Sequence, residues 1–79
     1  MEKIYSMMEQ ARAYYKSGDI QGLRSVRGLV SDEYSKKETE AITVGFDEVM
    51  AIYELEQESM MELDTMLTKL DIKLQMARR

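Results

Sequence analysis

The residues from Ile42 to Ala77 constrain this chain more than any other stretch. Ile42, Phe46, Val49, Tyr53, Glu56, Met60, Leu63, Leu67, Leu70, Leu74 and Ala77 recur at alternating steps of four and three, the spacing that sets side chains along one stripe of a helix. Only Glu56 puts a charge into the stripe. Written as heptads, Phe46, Tyr53, Met60, Leu67 and Leu74 share one seam position, and Ile42, Val49, Glu56, Leu63, Leu70 and Ala77 share the other. Met50, Ile52 and Met66 flank the seam where a two-stranded coil would place pairing charges. The apolar face is therefore wide enough for a bundle of three or four helices.

The residues before the stripe supply helical partners. Ile4, Met8, Ala11 and Tyr15, widened by Met7 and Tyr14, predict a first helix over about 2–16. Lys16-Ser17-Gly18-Asp19 ends it: glycine takes the left-handed cap, and Asp19 is placed to cap the next helix. A second helix from Ile20 turns Leu23, Val26 and Val30 inward, with Leu29 beside them. It is weakened by Gly22 and Gly28, each by up to about 1 kcal/mol relative to alanine. Small residues there would also let two backbones approach closely.

Within this hairpin, Ala11, Tyr14, Tyr15, Gly18, Asp19, Ile20 and Leu23 follow one another at offsets similar to those in the turn region of a tetratricopeptide repeat. The resemblance covers one hairpin, and no second copy follows. It implies an antiparallel helix pair and no peptide-binding function.

Ser31–Lys37 is the expected second connection, because Ser35 and Glu38 have the spacing of a capping box for a helix starting near Lys36. Ser59 and Glu62 repeat that spacing, so the long helix over 36–77 has a possible break near 57–59. The stripe keeps its phase through Glu56, which favours one unbroken helix. At about 1.5 Å per residue such a helix reaches some 60 Å, about three times either helix of the hairpin. The expected fold is all-α: a helical hairpin over 1–30 followed by a long amphipathic C-terminal helix, in one domain over 1–79. A hairpin that covers only half of the helix would leave Leu63, Leu67, Leu70 and Leu74 bare, and each leucine buried is worth about 2 kcal/mol. A second chain or another protein is then expected to cover them.

The side-chain inventory narrows the function. The 79 residues contain no histidine and no cysteine, which removes disulfides, thiol nucleophiles, an ordinary general base near neutrality and the preferred ligands of structural zinc. Neither Glu-x-x-Glu nor Glu-x-x-Asp occurs, so the magnesium site of all-helical nucleotide pyrophosphohydrolases is not matched. No enzyme, cofactor or metal is expected. No apolar run has the length of a signal peptide or a membrane span, and a cytoplasmic location is expected.

Charge is unevenly spread. No basic residue lies between Lys37 and Lys69, and Asp47, Glu54, Glu58 and Glu62 form an acidic stripe opposite the apolar one. The basic tail, Lys69, Lys73, Arg78 and Arg79, complements the dipole at a helix C-terminus. Met61 and Met76, with Leu55 and Ile72, add a second apolar flank suited to an adaptable partner.

These features point to a non-catalytic interaction module, a regulator, adaptor or inhibitor of a cytoplasmic protein. It would associate with itself or with a larger protein through Phe46, Val49, Tyr53, Met60, Leu63, Leu67, Leu70 and Leu74. The alternative is a nucleic-acid-associated regulator, which would bind through Arg24, Arg27, Lys36 and Lys37 or imitate a phosphate backbone with its acidic stripe.

Overall fold

The computed structural model describes residues 1–78; Arg79, the last residue of the basic tail, lies outside the described residues. Three helices follow in order: α1 (Glu2–Ser17), α2 (Ile20–Ala41) and α3 (Phe46–Ala77). The fold is the expected one, a helical hairpin followed by a long amphipathic helix. No helix is long and apolar enough to cross a membrane among the described residues.

Local chemistry sets the first turn as the sequence predicts. Gly18 adopts φ 77°, and the cap amides reach back to the carbonyls of Tyr14 and Tyr15. Asp19 then accepts a hydrogen bond from the Gly22 amide at 2.9 Å, satisfying one of the free donors at the start of α2.

The second turn differs from the expectation. Ser31–Lys37 is not a connection but the middle of α2, and α3 starts at Phe46 rather than Lys36. Ser35 caps nothing; its carbonyl accepts the Thr39 hydroxyl at 2.9 Å within the helix. The chain reverses instead at Ile42-Thr43-Val44-Gly45. Thr43 returns its hydroxyl to the Glu40 carbonyl at 2.8 Å, and Gly45 takes φ 152°, a region that favours glycine. At Ser59 the helix does not break. The Ser59 hydroxyl meets the Tyr34 hydroxyl at 2.8 Å, so the side chain pairs across the interface instead of capping a new helix.

Pairings between helices fix the arrangement. Lys3 with Glu33 sets α1 antiparallel to α2, and Arg27 with Asp64 and Tyr34 with Ser59 set α2 antiparallel to α3. Arg12 with Glu62 places α1 parallel to α3. The core is built from Ile4, Met8 and Ala11 of α1, from Leu23, Val26, Val30 and Tyr34 of α2, and from Leu63, Met66 and Leu70 of α3.

This packing corrects the expectation that the C-terminal half of α3 lies bare. Leu63 is 0 % and Leu70 2 % exposed, because the reversal at 42–45 sends that half back along α2 to meet α1. The other end is the one left open. At about 1.5 Å per residue α1, α2 and α3 are some 24, 33 and 48 Å long, and α1 covers only the part of the α2–α3 hairpin away from its loop. The protein is 52 Å in its longest dimension, and its far end is two helices without a third.

Gly22 and Gly28 turn out to be different. A Cβ on Gly22 would stand 2.6–2.8 Å from the Tyr14 ring, whereas one on Gly28 meets nothing within 4 Å. Gly28→Ala should therefore raise stability by up to about 1 kcal/mol through helix propensity. In Gly22→Ala the crowding, typically about 1–3 kcal/mol, outweighs that gain. Thermal unfolding followed by circular dichroism should move the two midpoints in opposite directions. A common shift would show that the α1–α2 contact is not close at Gly22.

Candidate functional site

The eight apolar residues that the sequence assigns to one interface do not share a surface. Leu63 and Leu70 belong to the core. Val49, Met60, Leu67 and Leu74 are half-buried, the last three packed against that core, and Phe46 and Tyr53 are exposed. The buried line of α3 runs through Leu63, Met66 and Leu70, with Ile52, Glu56 and Ser59 half-buried ahead of it. The helix is rotated slightly from the heptad reading, enough to bring Met66 in and turn Phe46 and Tyr53 out.

What gathers at a surface is the α2–α3 hairpin end. Ile42, Val44, Phe46, Met50, Tyr53 and Leu55 are all exposed, Phe46 at 76 % and Val44 at 73 %. On the side of the hairpin where the line of α1 would continue beyond Met1, the two helices flank a groove of about 360 Å³. Ala41, Val44, Ala51, Ile52 and Leu55 line its apolar part, and Lys37, Glu40 and Glu48 stand at it. Met1 and Leu55 also border a second groove, of about 370 Å³, that follows α1 toward Arg12 and Glu62. The apolar flank proposed from Met61, Ile72 and Met76 is exposed on the helix as well.

The charged residues divide between the two ends. Arg12 grips Glu62 with two hydrogen bonds, at 2.7 and 3.0 Å, which raises the guanidinium pKa and lowers that of the carboxyl. Arg27 bonds Asp64 at 2.7 Å, and its pKa is raised for the same reason. Glu62 therefore does not continue a free acidic stripe, while Asp47, Glu54 and Glu58 are exposed. The proposed basic cluster is likewise divided: Arg27 is engaged, Lys37 lies at the groove, and Arg24 and Lys36 are exposed.

Residues 36–58 hold two bases against seven acids, a balance of −5, and the remaining residues balance to +1. The protein's negative charge is thus concentrated at the hairpin end. None of the ion pairs among the described residues involves these seven acids.

One contact at that end was invisible in the sequence. Glu38 of α2 and Glu56 of α3 face each other across the interface, and one oxygen of Glu38 is buried without a hydrogen-bond partner. Burial, a hydrogen bond with Glu38 and the charge of Glu38 together raise the pKa of the Glu56 carboxyl. Glu56 was visible as the charge that interrupts the stripe. Its partner is not legible there, because the Ser35–Glu38 spacing points Glu38 to a helix cap. No cluster of three metal-ligating side chains occurs among the described residues. No family model matches the chain, and comparison with curated proteins and with solved structures gives no match.

Proposed function

We propose that this protein is a non-catalytic interaction module, a regulator, adaptor or inhibitor of a cytoplasmic protein, that engages its partner through the first third of α3 and the loop before it. The observation that supports this is the exposure of Ile42, Val44, Phe46, Met50, Tyr53 and Leu55 at one end of a small protein. Six large apolar side chains grouped there mark a surface that gains from being covered.

A heterologous partner is favoured over a second copy. The leucines that would have demanded self-association, Leu63 and Leu70, are covered within the chain. Two hairpin ends of −5 each would also repel one another. The same concentration of charge supports a second reading, in which the hairpin end imitates a phosphate backbone and blocks a nucleic-acid-binding protein. Its affinity would then fall steeply with salt, whereas apolar docking changes little.

The test is affinity capture from native extract with the natural chain and with a Val44→Asp/Phe46→Asp variant. Both sites are exposed, so the helical circular dichroism should be unchanged. The variant should lose the partner that the natural chain retains. Equal capture by both would sink the assignment of the hairpin end as the binding surface.

A further inference from the structure

The groove beyond Met1 is the place that a third helix would occupy if α1 continued along the hairpin. Its apolar part includes Ala41 and Ala51, one on each helix, whose small side chains leave room for an incoming backbone. Glu40 and Glu48 stand at it with one base, Lys37, and the surrounding segment 36–58 balances to −5. A helix laid there would bury apolar residues against the groove while its flanks face acids. An acidic occupant, a second hairpin end included, would meet like charge.

We propose, building on the reading above, that this groove docks a basic amphipathic helix along the line of α1. The apolar stripe of that helix packs on Ala41, Val44, Ala51 and Ile52, and its Lys or Arg residues pair with Glu40 and Glu48. The occupant completes a three-helix arrangement that the chain builds over only part of its length. Charge complementarity selects the partner, and the groove sets its direction.

The probe is a synthetic helical peptide of about five turns with a leucine stripe flanked by lysines, and a counterpart with glutamates in place of the lysines. Binding to the full chain is read by fluorescence anisotropy. The lysine peptide should bind at least ~10-fold more tightly than the glutamate peptide, and its affinity should weaken as salt is raised.

Ala51→Arg, which fills the groove and adds positive charge, should weaken it by at least ~10-fold. Gln57→Arg makes the same charge change on an exposed residue outside the groove and outside the proposed docking surface, and should leave the affinity within about twofold. Equal binding of the two peptides, or equal loss in the two variants, overturns the proposal. So does a dimer in light scattering that Ala51→Arg dissolves, which would make a second copy the occupant. If a partner is captured from extract through Val44 and Phe46 while the lysine peptide does not bind, this inference falls and the interaction module stands.

Discussion

Leu63→Ala is expected to remove about 3 kcal/mol from the unfolding free energy, more than half of what a chain this short holds. Leu63 is 0 % exposed and packs in the cluster that joins all three helices. Truncating a buried leucine costs about 2–5 kcal/mol, transfer and cavity together. A domain of this size holds a stability of only about 5 kcal/mol. The thermal midpoint should fall by more than about 10 °C, at the usual 4–8 °C per kcal/mol for so short a chain.

The comparison that gives this its force is Phe46→Ala, one of the seam positions that the heptad pattern ranks with Leu63. At 76 % exposure Phe46 should change stability by no more than about 0.5 kcal/mol. Urea unfolding of the two variants separates the two roles. Equal midpoints would mean that α3 does not fold back onto α1 and α2, and that Leu63 belongs to a surface after all.

The first hairpin was legible because every signal in it is local. Gly18 and Asp19 act within one turn of their own positions, and Ile4, Met8 and Ala11 mark one face by spacing alone. The second turn was misplaced because two signals competed there and the weaker-looking one won. Ser35 and Glu38 spell a capping box, yet no chain reversal is possible at 31–37 without exposing Tyr34, which is buried and bonded to Ser59.

The actual turn is marked by Gly45, the single glycine after Gly28, next to the β-branched run Ile42-Thr43-Val44. That signal was hidden because Ile42 and Phe46 keep the helical step of four across it. Moving the reversal from 31–37 to 42–45 also exchanges which half of α3 is covered. That one turn therefore puts the Met60–Leu74 part of the candidate surface into or against the core and leaves its Phe46 and Tyr53 at the exposed end. The Glu38–Glu56 contact depends on the pairing of α2 with α3, which no single-helix pattern contains.

That contact carries the second large expectation: Glu56→Leu should raise stability at pH 7 by about 1–2 kcal/mol. The substitution removes a half-buried charge that faces another carboxyl and adds apolar surface to the interface, worth about 1–2 kcal/mol once buried. Glu56→Gln tests the electrostatic part alone, through its dependence on pH. The folded-state pKa of Glu56 is raised, by burial first and by Glu38 second. Its protonated form therefore contributes stability that is fully present below the ordinary carboxylate pKa and is lost as pH rises through the higher folded value.

The natural chain is thus penalised at neutral pH relative to Glu56→Gln, and the gap between the two should close on acidification across that window. Glu62 titrates in the opposite sense. Arg12 lowers its pKa, so its contribution is present above the ordinary value and fades as pH falls. Because Glu62 is common to both proteins, subtracting one stability curve from the other cancels it and leaves the contribution of the Glu38–Glu56 pair. A Glu56→Gln variant no more stable than the natural chain at pH 7, or a gap that widens in acid, would mean that the two carboxyls do not meet. The hairpin end would then be held together without the like-charge contact that sets its stability apart from that of the three-helix core.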